Sequence, residues 1–356
     1  MRETGLACSW AVTGCLDPEP KHRKNMIKRS TPMKKISALI LSLMLILSLP
    51  AALADDPSFQ VGIAQFAVHG SLDNCREGFI QGMLEQGFED GVNVFYDYQN
   101  AQADMGLAAG IASKFVSSGY DLIAAIATPM AVVSVNTADG KIPVIYSAVS
   151  SPKDSGLANE QGLGEGLTTG TSDELPVEKQ LQTIRALQPD AKVIGILYTL
   201  SETNSAVQVK QYQDLAPKYG FTVEATGITT GADVPLAAPA LLKKVDLVTM
   251  VLDNTVVQYL DAVLDAAEPL KKPVYGSEIE QVVRGCVAAE GLDYFALGRQ
   301  TGHLAARVLM GEDASQIPYE TISESALYYN PQALEALGLT LPEDLLARGT
   351  DVTAAK

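Results

Sequence analysis

Lys192–Gln208 reads Lys-Val-Ile-Gly-Ile-Leu-Tyr-Thr-Leu-Ser-Glu-Thr-Asn-Ser-Ala-Val-Gln, and this stretch sets the class of fold. Val193–Tyr198 is a short apolar run, β-branched at Val193, Ile194 and Ile196, with the pattern of a buried strand. Polar residues follow: Ser201, Glu202, Thr203, Asn204 and Ser205. A helix is expected from about Ala206, and Ser205 and Gln208 have the spacing of a capping box. A strand that runs straight into a helix turns the first helical amides back toward the strand end. Orphan N–H groups and the macrodipole then favour an anion there. Taken singly, such a turn is equally well an ordinary strand–helix connection.

The device recurs twice. Asp121–Ala127 is an apolar strand followed by Thr128 and Pro129; threonine suits an N-cap and proline the first helical position. Asp246–Leu252 is another, followed by Asp253, Asn254 and Thr255, with Thr255 and Gln258 again spaced as a capping box. In open α/β sheets ligands sit at the carboxyl ends of strands, so these three turns are where a site is sought.

Outward from these turns the pattern alternates. Strands are expected at Gln60–Phe66, Val92–Tyr98, Asp121–Ala127 and Pro143–Val149, with helices at Ser71–Glu85 and Asp104–Ser117 between them. Ser150–Asp173, with Gly156, Gly162, Gly164, Gly166 and Gly170, breaks the rhythm and reads as a flexible crossover. It lacks the Gly-Lys-Ser/Thr of a phosphate loop. Alternation then restarts: helix Pro176–Leu187, strand Val193–Tyr198, helix Ala206–Tyr219, strand Phe221–Thr226, helix Pro235–Lys243, strand Asp246–Leu252, helix Thr255–Lys271 and strand Pro273–Ser277. A second crossover at Gly285–Gly291, a helix at Tyr294–Met310, a strand at Ala326–Tyr329 and a helix at Pro331–Leu337 complete it. The class is α/β, two doubly wound parallel-sheet lobes facing each other across a cleft. The lobes are expected at 58–170 plus 288–318 and at 171–287 plus 319–356.

Residues 1–54 are read as a leader. Met33-Lys34-Lys35 supplies a positive n-region, Ile36–Leu49 an apolar h-region and Ala52-Leu53-Ala54 a small-x-small cleavage site, the parts of a secretory signal peptide. Met33 is the expected true start and Asp55 the first mature residue. The leader holds eight Lys/Arg and three Asp/Glu, so its removal takes the formal charge from −16 to −21. So acidic a chain repels nucleic acid and anionic membrane surfaces, and no segment after residue 54 has the length of a membrane span. A soluble monomer outside the cytoplasmic membrane, in the periplasm, is expected.

Cys75 and Cys286 lie far apart, either as buried thiols or, in an exported protein, as a disulfide. With only His69 and His303 beyond the leader, no zinc constellation or calcium loop emerges, and no cofactor is expected. Without a Gly-x-Ser-x-Gly elbow, a hydrolase would have to build on His69 or His303 without motif support.

Six motifs together carry a resemblance: His69-Gly70-Ser71-Leu72-Asp73, Tyr98-Gln99-Asn100-Ala101-Gln102, Ala127-Thr128-Pro129, Ser201-Glu202-Thr203-Asn204-Ser205, Asp253-Asn254-Thr255-Val256-Val257 and Gly298-Arg299-Gln300-Thr301-Gly302. The chain resembles periplasmic substrate-binding proteins of bacterial ABC transporters, in the type I branch that includes tryptophan- and other aromatic-amino-acid-binding members. The resemblance covers residues 59–345. It implies two lobes joined by three crossovers, a ligand in the cleft, ABC permease subunits as partners and no catalysis. The family often has Asp-Pro where this chain has Ser151-Pro152, and Asn after the tyrosine where it has Thr199. Both changes fall in the expected cleft, which leaves ligand identity less determined than fold.

Physics plus that match suggest a site for a free amino acid, aromatic or large apolar. Its carboxylate would meet helix-start amides and hydroxyls at Thr128, Ser147, Asn204 and Ser205, with Pro129, Ala148 and Ser201 beside them as further ligand-binding positions. Its ammonium would meet Asp253 first, then Glu202 or Glu278, with Asn254 adjacent. Its side chain would meet Phe66, Tyr146 or Tyr198. Each has an alternative: Asp253 only caps its helix, Glu202 and Glu278 are solvated rim charges, the aromatics are core, and Gln65 either donates to the ligand or caps its strand. A nucleoside or sugar ligand, or a sensor in place of a transporter, stays open. Sugar is disfavoured because Trp10, the one tryptophan, lies in the leader.

Overall fold

A computed structural model of the protein describes residues 58–322 and 325–354. The leader, its cleavage site and Met33 lie outside the described residues. The first half alternates as its sequence pattern requires: β1 (Phe59–Gln65), α1 (Gly70–Glu85), β2 (Val94–Asn100), α2 (Met105–Ser117), β3 (Leu122–Ile126), α3 (Thr128–Ala138) and β4 (Val144–Ser147). β3 and β4 are buried at every residue, as strands covered on both faces must be. The expected crossover at Ser150–Asp173 ends in a further strand instead, β5 (Thr168–Ser172), fully buried and paired parallel with β4.

The second half holds α4 (Val177–Leu187), β6 (Val193–Thr199), α5 (Thr203–Leu215), β7 (Thr222–Ile228), α6 (Val234–Leu242), β8 (Leu247–Thr249), α7 (Asn254–Gln258), α8 (Leu260–Ala267) and β9 (Val274–Tyr275). The single helix expected over Thr255–Lys271 is broken at Tyr259, which leaves the helical region between α7 and α8. Then come α9 (Ile279–Arg284), β10 (Ala288–Gly291), α10 (Tyr294–Leu309), β11 (Glu320–Thr321), β12 (Ala326–Tyr329), α11 (Pro331–Leu337), α12 (Glu343–Arg348) and β13 (Gly349–Asp351). Of these, the β10 strand lies within the expected second crossover, Gly285–Gly291, and the α9 helix ends just before it.

Hydrogen bonding gathers the strands into two parallel sheets. One has the order β11-β5-β4-β3-β1-β2 and the other β7-β6-β8-β9. A small sheet, β10-β12-β13, continues the second: Gly276 N–H donates to Ala288 and Val287 N–H to Val274. The chain thus crosses between lobes three times, after β5, after β10 and after β11.

α10 returns to the first lobe and packs on α1. Gly78 and Gly298 let the two backbones touch: a Cβ at Gly298 would lie 1.9 Å from the Cys75 carbonyl, and one at Gly78 2.1 Å from that of Phe295. Behind this crossing Cys75 Sγ, Ser147 Oγ, Thr171 Oγ1 and Thr301 Oγ1 form a buried hydrogen-bonded cluster. Cys75 and Cys286 are both buried and free. Among the described residues no helix is long and apolar enough to cross a membrane.

Candidate functional site

The carboxyl ends of the two sheets face each other, and a closed cavity lies between them. The first lobe lines it with His69, Leu72, Ala148, Ser150 and Tyr294, and Asp173 adds to these from the first crossing. The second lobe supplies Asn204, Leu252, Asp253, Asn254, Val257 and Glu278. Its free interior is about 10 Å³, room for about one water, so the lobes are shut. Ala127 and Ala148, at the ends of β3 and β4, have φ of 82° and 55°. Such strain in non-glycine residues is typical of functional loops.

The start of α7 is the most heavily bonded feature of the wall. Asp253 is its N-cap and accepts from Val256 N–H at 2.7 Å. Its carboxylate also takes the Thr199 N–H and hydroxyl and the Ser205 hydroxyl. Glu202, from the turn after β6, reaches the same helix start and accepts the Asn254 and Thr255 amides, both at 2.9 Å. It also takes the Thr255 hydroxyl and the side-chain amides of Asn204 and Asn254. Glu202 is 1 % exposed, a buried residue and not a rim charge. Burial raises both acids above the usual carboxylate range, and the Asp253 charge raises Glu202 further. Two capping boxes expected from sequence are absent as such. Ser205 donates to Asp253, Gln208 accepts from Leu252 N–H, and Asp253, not Thr255, caps α7.

Other lining atoms have no partner. Asp173 accepts from the Tyr294 hydroxyl at 2.8 Å through Oδ2; its buried Oδ1 has no partner within hydrogen-bond distance among the described residues, with the Ser150 hydroxyl nearby and helping to hold the carboxyl ionised. Asn204 spends its NH₂ on Leu252 and Glu202, which fixes the amide orientation and leaves Oδ1 buried and bare. His69 Nε2 is 3.4 Å from Asn254 Oδ1, and its Nδ1 is bare. Burial lowers the His69 pKa to about 4, so the ring is neutral. Glu278 takes a hydrogen bond from Gln281 Nε2 at 2.6 Å. Burial pushes Glu278 up to about 8, with the neighbouring Glu280 charge adding, and pushes Asp173 up to about 6. No lysine or arginine lines the cavity.

Of the residues singled out from sequence, Ala148, Asn204, Asp253, Asn254 and Glu278 meet at the cavity. Ser205 and Glu202 stand directly behind it. Ser147 points into the core cluster with Cys75 and Thr301. Phe66 and Tyr146 are core side chains, Tyr198 packs partly against the core, and Ser201 is exposed. Thr128 is the first residue of α3 rather than its N-cap; its hydroxyl accepts from Ser150 N–H at 3.4 Å, and Pro129 follows it in the first turn. Gln65 is buried, bonded to Ala67 and Asp73. Sequence reasoning passed over Asp173, Tyr294 and His69 as cavity-lining residues. Asp173 was hidden because Thr168–Ser172 has no apolar residue to mark a strand ending there.

The pattern of ABC transporter substrate binding proteins matches residues 60–353. The chain belongs to this family. Its members bind solutes and are not enzymes. This substrate-binding protein is 39 % identical over 279 residues to a tyrosine-binding protein of Clostridioides difficile, covering 78 % of this chain and 81 % of the relative. A Streptococcus pneumoniae substrate-binding domain in complex with L-Trp superposes with a TM-score of 0.80 at 31 % identity, over 83 % of this chain and 99 % of that one. A ligand-free, open substrate-binding protein with adhesive properties from Clostridium difficile superposes with a TM-score of 0.63 at 37 % identity, over 82 % of this chain and 99 % of that one. Neighbours in complex with sugars and polyols, at 13–18 % identity, share the fold alone.

Proposed function

We propose that this substrate-binding protein is the extracytoplasmic component of an ABC importer and binds a free amino acid with an aromatic or large apolar side chain between its lobes. The observation that carries the reading is the set of bare acceptors on the cavity wall: Asp173 Oδ1, Asn204 Oδ1 and His69 Nδ1. If the His69 Nε2–H faces Asn254 Oδ1, Nδ1 is an acceptor too. Buried acceptors left unpaired cost roughly 1–3 kcal/mol each, and an ammonium brings three donors and a compensating charge. Asp173 and Glu278 are therefore its carboxylate partners, ahead of Asp253 and Glu202, whose oxygens already hold protein donors.

The ligand carboxylate is assigned to α5 and α3. Neither helix start has a side-chain cap, and Asn204 brings the first turn of α5 to the cavity. Leu72, Leu252, Val257 and the ring of Tyr294 take the apolar part, in place of Phe66, Tyr146 and Tyr198. The printed ligands of two relatives, tyrosine and L-Trp, support this class.

Entry of such a ligand requires the lobes to part, since the shut cavity has room for about one water. The open relative superposes less well than the L-Trp complex despite its higher identity, which supports hinge motion. Lobes at 58–170 plus 288–318 and 171–287 plus 319–356, adjusted so that β5 and β11 join the first and β10 the second, fit this motion. Export to the periplasm with loss of residues 1–54, action as a monomer and delivery to permease subunits complete the proposal. A thermal-shift screen of the twenty amino acids, sugars and nucleosides tests it. Aromatic amino acids should raise the melting temperature, by an amount near 2.7 kcal/mol of stability at 100 times Kd. A shift only with a sugar or nucleoside would reject it.

A further inference from the structure

Glu280 lies outside the cavity, in the first turn of α9 on the second lobe. Its carboxylate accepts from Ser71 Oγ at 2.7 Å and from Asn74 Nδ2 at 2.6 Å. Both donors sit near the start of α1, at its second and fifth residues, on the first lobe. That 16-residue helix begins at His69 without a side-chain cap of its own. A carboxylate beside a helix N-terminus is favoured by the macrodipole; α1 has Asp73 in its own first turn and gains a second carboxylate from the opposite lobe. Between the two helices stands Gly70, where a Cβ would meet Glu280 Cγ at 2.8 Å. The close approach needs a residue without a side chain at that place.

We infer that Glu280 is the closure latch: a positioning residue that holds the two lobes together by accepting from the Ser71 and Asn74 side chains near the start of α1, without touching the ligand. The contact spans more than 200 residues of sequence and exists only when the lobes are shut. It therefore adds to the closed state alone, and a ligand that binds the closed state gains affinity from it. Gly70 guards the geometry, since a methyl group there pushes Glu280 away. The inference rests on the hinge motion proposed above, but not on which ligand is bound.

The test reads lobe separation directly. Spin labels at Ser118→Cys and Gln213→Cys, exposed on opposite lobes, report distance distributions with and without L-tyrosine in protein beginning at Asp55; its two thiols, Cys75 and Cys286, are buried and resist labelling. Glu280→Ala, Gly70→Ala and the double variant Ser71→Ala/Asn74→Ala should each lower the closed fraction. Affinity for L-tyrosine should fall about tenfold, because the lost charge-assisted hydrogen bonds are partly replaced by water, while the ratio of tyrosine to tryptophan affinity stays fixed. Combining Glu280→Ala with the double variant should add little further loss. A closed fraction unchanged in every variant overturns the latch, as does additive loss or a wild type that never closes. If L-tyrosine fails to bind the wild type, the ligand assignment falls, while the ligand-free closed fraction still decides the latch.

Discussion

Glu202 and Asp253 hold one helix start between them: Asp253 accepts the amide of Val256 from its own chain end, and Glu202 accepts those of Asn254 and Thr255 from the neighbouring strand end. At this turn the helix-start amides are taken by the protein's own carboxylates. The two acids are thus structural supports for the wall on which Asn204 and Asn254 stand.

Asp253→Ala is accordingly expected to act on stability. It removes a cap worth about 1 kcal/mol and orphans the buried Thr199 and Ser205 donors, at roughly 1–3 kcal/mol each. Thermal unfolding should show a melting temperature several degrees lower, with ligand affinity within about tenfold of wild type. A loss of affinity beyond thirtyfold with unchanged melting would return Asp253 to the role of ammonium partner.

Asp173→Asn should behave in the opposite way. Truncating one partner of a desolvated charge pair costs roughly 2–5 kcal/mol, so affinity should fall about thirtyfold or more. The ligand-free fold should tolerate the change, because asparagine can still accept from the Tyr294 hydroxyl. Calorimetry and a melting curve on one preparation check both halves.

The acids also predict a pH dependence. Burial holds Glu278 near 8 and Asp173 near 6 in the fold, above their unfolded values of about 4. Stability from these groups is fully present below pH 4 and is lost as pH rises through 6 and 8. The ligand-free protein should therefore gain stability from them on going from pH 8 to pH 5. An ammonium favours the ionised carboxylates, so binding near pH 7 should release protons and tighten between pH 6 and 8. Calorimetry in buffers of different ionisation enthalpy measures the proton count; net uptake would contradict the assignment.

N-terminal sequencing of exported protein should begin at Asp55. A start at residue 1, or retention in the membrane after a salt wash, would refute the reading of the leader.

Much of the fold was legible because buried parallel strands declare themselves as apolar runs: Asp121–Ala127 and Val193–Tyr198 each lie within a residue or two of β3 and β6. β5 was not, since Thr-Thr-Gly-Thr-Ser has no apolar run, and its Thr171 hydroxyl is buried by pairing with Ser147 and Thr301, a compensation invisible in one dimension. The site was half legible for the same reason. Strand-end positions such as Asn204 and Asp253 could be located, but whether a carboxylate is spent on the protein depends on contacts such as that of Glu202 with Thr255. Ser147 and Tyr146 show the other limit: on so short a strand, sequence does not say which face meets the cleft.

If the bare acceptors around Asp173 read a ligand ammonium, removing the amine from the ligand must cost most of the affinity. Calorimetry comparing L-tyrosine with 3-(4-hydroxyphenyl)propanoate, identical but for the amine, tests it most directly. The account predicts tight binding of L-tyrosine and a loss of about a hundredfold or more for the analogue, in line with the roughly 2–5 kcal/mol of a broken buried charge pair. Equal affinity for the two, or tighter binding of the analogue, would contradict it.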